Sequence, residues 1–137
     1  MPHDPVRAAD TRAWLERARA DLEAGARDLS GEPALSGDAM FHAQQTAEKA
    51  LEAFLAWHDE PFHKTHNLEE LGEQCLSLDA SLQVLIDQAV PLSEYAWKFR
   101  YPGETQRPPA EEARGALAAA RSVYEAILDR FPEEARP

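Results

Sequence analysis

A chain of 137 residues has room for one hydrophobic core and too little for two, so it reads as a single domain over 1–137 with an ordered core of about 10–131. Its 25 acidic and 14 basic side chains leave a formal charge of −11, a surface that repels a phosphate backbone and excludes broad, sequence-independent nucleic-acid binding. No segment approaches the roughly 20 apolar residues of a membrane span, and the single cysteine, Cys75, rules out an intramolecular disulfide and a cysteine metal cluster.

The N-terminal MPHDPVRAADTR has no apolar signal region, so a cytoplasmic location is expected. A first helix is predicted from Asp10 or Thr11, either able to cap it, to about Leu29. Trp14, Leu15, Ala18, Leu22, Ala26 and Leu29 form its apolar face, and Glu16, Arg17, Arg19, Glu23 and Arg27 its solvated one. SGEPALSG at 30–37 has the Gly, Pro and Ser content of a loop that reverses the chain. A second helix follows from about Asp38 to His58, where Met40, Phe41, Gln44, Ala47, Glu48, Leu51, Phe54, Leu55 and His58 recur three and four apart. That face should be buried. Gln44 and Glu48 interrupt it one turn apart, and a carboxylate in an apolar stripe needs a partner; Lys49, Lys64, His66 and Arg100 are the candidates.

Pro61 breaks the helix within DEPFHKTH at 59–66. A short third helix begins after Asn67, whose side chain caps it while Glu70 reaches back in a capping box, with Leu68, Leu71, Cys75 and Leu76 facing inward. Cys75, among leucines, reads as a small core residue. Ser81 opens a fourth segment with a stripe of Leu82, Leu85, Ile86, Ala89 and Val90, which Pro91 kinks or ends. The aromatic cluster Tyr95, Trp97, Phe99 and Tyr101 then runs to Pro102 and Gly103. A final helix spans about Pro109 to Phe131, with Glu111 and Glu112 in its first turn, where the helix dipole favours acids. Its inner face is Ala113, Leu117, Ala120, Val123, Tyr124, Ile127, Leu128 and Phe131. Short loops between these helices predict an all-α, antiparallel up-and-down bundle of four to five helices, one of them short. Such a shape is silent about function.

Three stretches carry a family resemblance: AQQTAEKALEAFL at 43–55, KTHNLEEL at 64–71 and the aromatic, basic YAWKFRYP at 95–102. In combination, and with the long helices on either side, they resemble the HEPN domain, a small helical bundle of prokaryotes and higher eukaryotes. The resemblance implies a four- or five-helix bundle, frequent dimerisation and partnership with minimal nucleotidyltransferases. Some members of the family are ribonucleases and others have been proposed to bind nucleotides.

The nuclease chemistry of the family rests on an arginine followed a few residues later by a histidine, acting across a dimer as acid, base and phosphate stabiliser. None of the histidines here, His3, His42, His58, His63 and His66, follows an arginine at that spacing. No catalytic residue is therefore carried over. His63 and His66, with His58 nearby, lack a firm third ligand, so no metal and no cofactor is expected.

A ligand-binding constellation is expected instead from Glu48, Lys49, Lys64, His66, Arg100 and Tyr101, with Lys98 nearby, since the bundle brings the end of the second helix near the third and the aromatic junction. Lys64 and the free amides after Asn67 would hold a phosphate. The alternative is that these cations pair with Glu48, Glu52, Glu60 and Glu94. Tyr95, Trp97 and Phe99 are expected to form a dimer or partner surface, being residue types that supply hot spots. The sequence thus reads as a non-catalytic HEPN-like interaction module, nucleotide-binding and homodimeric, beside a minimal nucleotidyltransferase. The rivals are a ribonuclease with a non-standard site and a ligand-free structural dimer.

Overall fold

The computed structural model describes residues 4–61, 65–102 and 107–137. Among the described residues it is all helical, with α1 (Pro5–Ser30), α2 (Ser36–Trp57), α3 (Leu68–Leu78), α4 (Gln83–Ala89) and α5 (Ala110–Leu128), as the hydrophobic periods predict. Short 3-10 helices occupy Ala80–Leu82, Val90–Ala96 and Glu133–Ala135.

α1 begins earlier than Asp10 or Thr11. Asp4 caps it, its Oδ1 accepting from the Val6 amide at 2.9 Å, and Pro5 takes the first helical position, where a missing amide costs nothing. Thr11 lies fully buried inside the helix. Gly25, not Ala26, faces inward, because α1 approaches its neighbours most closely there: a Cβ at Gly25 would meet Leu117 Cδ1 at 2.7 Å. Gly25 also lies against Ala39 and His42, while Arg7 pairs with Asp59 at 3.6 Å, so α1 and α2 run antiparallel.

α2 is the centre of the fold, packed on α1, α3, α5 and the 3-10 helix Val90–Ala96. A helix covered on several sides cannot keep its polar residues in solvent. Gln44, Gln45, Thr46, Glu48 and Glu52 are buried with Met40, Leu51, Phe54 and Leu55. His58, expected on the buried face, sits exposed at the C-terminal cap with its ring 4.5 Å from Phe54.

Asn67 caps α3 as expected, its Oδ1 accepting from the Glu69 amide at 2.9 Å. The capping box with Glu70 does not form, since the Asn67 amide donates to Thr65 Oγ1 at 3.0 Å. Leu68, Leu71 and Cys75 are buried, and burial pushes the Cys75 thiol up to about 12, consistent with an inert core residue. α4 stops at Ala89, before Pro91, and the chain continues as the 3-10 helix. α5 stops at Leu128, short of Phe131, which is still buried and lies 6.4 Å from Phe54 and 5.8 Å from Trp57.

Candidate functional site

The polar groups forced inward by α2 satisfy one another. Gln45 donates to Gln44 Oε1 at 2.7 Å, and Gln44 donates to the His66 carbonyl at 3.1 Å. Both amides also reach the Glu48 carboxylate at 3.4 Å. His66 Nδ1 lies 2.8 Å from Glu48 Oε1, which identifies His66 as the partner that Glu48 requires. The Glu48 side chain is 7% exposed and the His66 ring 70%. With Nδ1–H donating to Glu48, a neutral imidazole keeps Nε2 as an acceptor toward solvent. The ring borders a cavity of about 470 Å³ shared with Asn67, Glu69, Val90, Ser93, Glu94 and Trp97. None of its described lining residues is Lys or Arg.

One turn beyond Glu48, Glu52 is buried and has no hydrogen bond among the described residues. Burial and then the Glu48 carboxylate raise its pKa to about 7, with Lys49 opposing. Lys49 itself turns away to Asp21 on α1 at 2.5 Å, where His42 Nδ1 also meets Asp21 at 2.9 Å.

The expected constellation is therefore divided. Glu48 and His66 meet beside the middle of α2, and Lys49 is paired on the α1 side. Arg100 stacks its guanidinium 3.6 Å from the Phe41 ring centre, near the start of α2. Tyr101 is 65% exposed and lines a second cavity, at the start of α2. Lys64 lies outside the described residues, as does His63. Lys98 pairs with Glu94 at 3.5 Å and sits over the Phe99 ring. Among the described residues, no three His, Cys, Asp or Glu side chains come together in a metal-binding group.

The aromatic junction also splits by exposure. Tyr95 is buried and donates its hydroxyl to Glu112 at 3.3 Å; burial, followed by that neighbouring carboxylate, pushes its phenol up to about 12. Phe99 is half-buried, stacked on Tyr95, with its backbone at φ 66°, a left-handed conformation rare for a bulky residue. Trp97 is 57% exposed. Of the three aromatics expected at an interface, Trp97 is the one whose ring faces outward.

The second cavity, about 250 Å³, is lined by Leu35, Ser36, Gly37, Asp38, Phe99, Tyr101 and Arg107 among others. Periodicity misses it, because Ser36 and Gly37 read as the tail of a Gly, Pro and Ser loop and only folding makes them the first turn of α2. Gln45 and Asp21 are missed for a related reason: each looks like a solvated helix residue until the neighbouring helix covers it.

A family model described as HEPN domain matches residues 11–131. Comparisons with curated proteins and with solved structures find no match.

Proposed function

Because the chain belongs to the HEPN domain family, we propose that it is a non-catalytic interaction module that binds a nucleotide, forms a homodimer and works beside a minimal nucleotidyltransferase. The observation that carries this reading is how its chemistry is divided between inside and outside. Gln44, Gln45 and Glu48 are hydrogen-bonded to one another and to His66, holding the entrance of α3. The side chains of Trp97, Tyr101 and Arg107, by contrast, are exposed and make no hydrogen bond or ion pair among the described residues. Trp97 borders the His66 cavity and Tyr101 and Arg107 line the one at the start of α2, and exposed aromatic and arginine side chains are residue types suited to recognition of a partner.

The test is to purify the tagged protein from its native cell at modest salt and identify what accompanies it. A small nucleotidyltransferase in stoichiometric amount is the expected result; its absence removes that partner from the reading.

A second reading, a ribonuclease with a non-standard site, draws on the exposed His66 ring held by the buried Glu48 carboxylate. A buried acid that orients an imidazole is an arrangement suited to general base catalysis. His66→Ala decides between them. If RNA cleavage is present in the wild type and lost in this variant, the enzyme reading prevails; absence of cleavage in the wild type sets it aside.

A further inference from the structure

We propose that the groove between α3 and α4 docks a basic amphipathic helix of a partner protein, its cations on the acidic edges and its apolar side chains on the floor. No nucleotide, homodimer or nucleotidyltransferase is needed for this, so the groove is a surface beyond those of the reading above. Glu69, Glu73 and Leu76 recur four and three apart on α3, and Gln83, Asp87 and Val90 recur in the same way along α4 and into the 3-10 helix after it. Each element therefore turns one stripe toward the groove. Together with Ile86 and Pro91 these side chains line a hollow of about 350 Å³. The two elements touch where Gly72 meets Ile86, since an added Cβ at Gly72 would lie 2.5 Å from Ile86 Cγ2. Glu69 and Val90 also border the cavity of about 470 Å³ beside His66, so the two hollows adjoin.

The charge of this region is one-sided. From Thr65 to Trp97 the sequence has no Lys or Arg, while Glu69, Glu70, Glu73, Asp79, Asp87 and Glu94 fall within it. Two of these acids are met by cations from outside the span, Asp79 by Arg130 and Glu94 by Lys98, both at 3.5 Å. The three carboxylates along the groove are not. Glu69, Glu73 and Asp87 are exposed and make no ion pair among the described residues, and Asp87 accepts from a neutral amide, Gln83 Nε2, at 2.9 Å, which leaves its charge uncompensated. None of the described residues lining either hollow is Lys or Arg. Like charges gathered on one surface repel one another, and a cationic partner relieves them.

Charge complementarity names the occupant. A second copy brings a formal −11 and the same acidic groove, and nucleic acid brings phosphates, so both are repelled. A small polyamine would meet the acids and leave the floor in water. Leu76 and Val90 are half-buried and Pro91 is exposed, which is apolar surface still to be covered. A helix with apolar residues on one face and Lys or Arg beside them covers floor and edges at once. Residues 69 to 76 of α3 span about 10 Å at roughly 1.5 Å per residue, room for about two turns of such a helix.

The experiment is a ¹⁵N–¹H titration of the whole protein at low salt with spermine and with three synthetic peptides, each about four helical turns long. One peptide carries Leu at helical spacing flanked by Lys, the second keeps the Leu and replaces Lys by Glu, and the third keeps the Lys and replaces Leu by Ser. The Leu and Lys peptide is expected to move the amides of 69–76 and 83–90, to bind more tightly than the other probes and to weaken as salt rises. Glu73→Gln combined with Asp87→Asn should weaken it about tenfold or more. Glu16→Gln combined with Glu23→Gln, which removes the same charge from the solvated face of α1, should change it by about twofold at most. All four substituted side chains are exposed, so the variants keep the fold. If the two double variants weaken binding equally, or spermine or the Ser peptide binds as tightly as the Leu and Lys peptide, attraction to net charge alone is at work and the groove is overturned as a docking site. It is overturned as well if that peptide moves amides elsewhere or none at all. The homodimer and nucleotidyltransferase readings survive those outcomes, because they are tested on Trp97 and on the copurifying protein.

Discussion

Glu52 sits in surroundings that oppose its charge. It is buried one turn from Glu48, and its raised pKa of about 7 compares with an ordinary 4.5. A carboxyl raised on folding binds its proton more tightly in the native state, so its favourable contribution is complete below about pH 4.5 and is lost as pH rises through about 7. The protein should therefore lose stability across that window from this group. Glu52→Gln keeps the shape and removes the titration. At about pH 8 it should stabilise the fold by on the order of 2 kcal/mol, raising Tm by roughly 5–10 °C, with little change at about pH 4. Thermal unfolding of both proteins across this range checks it, and parallel curves would remove Glu52 as the cause. The residue scale is also where the sequence was partly legible. Glu48, set in an apolar stripe, announces its need for a partner, and His66 is among the four candidates. What the pattern hides is Gln45 and the His66 carbonyl, because a backbone acceptor has no sequence signature and Gln45 looks solvated until α2 is covered.

At the scale of helices, glycines mark where the bundle is tightest. An added Cβ at Gly72 of α3 would lie 2.5 Å from Ile86 Cγ2 of α4, and one at Gly25 of α1 would lie 2.7 Å from Leu117 Cδ1 of α5. The two contacts are similar in length and different in kind. Ile86 is β-branched and stiff at its first torsion, whereas Leu117 Cδ1 is the far end of a side chain that can rotate. Alanine gains roughly 0.5–1 kcal/mol over glycine in a helix, against about 1–3 kcal/mol for forcing extra volume into a packed core. Gly72→Ala should therefore be net destabilising by about 1–2 kcal/mol, and Gly25→Ala should fall within about 1 kcal/mol of wild type. Urea unfolding with unchanged m-values measures both; a Gly72→Ala protein as stable as wild type would show that α4 yields freely. The helices themselves were readable from period alone, yet the inward place of Gly25 was not. Positions three and four beyond Leu22 both suit the period, and residue type favours Ala26, whereas the close approach of α1 to α5 selects the smaller side chain.

For the molecule as a whole, net charge and the exposed aromatic junction make opposing demands on association. Two copies carrying a formal −11 each repel, so a homodimer has to be held by apolar contact, and Trp97, 57% exposed, is the ring placed to provide it. Trp97→Ala removes little that the isolated fold uses and should leave its stability within about 0.5 kcal/mol of wild type. Dimer affinity should fall about tenfold or more, as for an interface anchor. Sedimentation equilibrium on the two proteins reads this directly, and salt gives it a sign. Raising ionic strength from low to physiological shortens the screening length to about 8 Å and weakens repulsion between like-charged copies, so a dimer of this kind should tighten. A contact with a basic partner would loosen under the same change. A wild-type dimer that dissociates on adding salt, or one that Trp97→Ala leaves intact, would take the interface away from this junction.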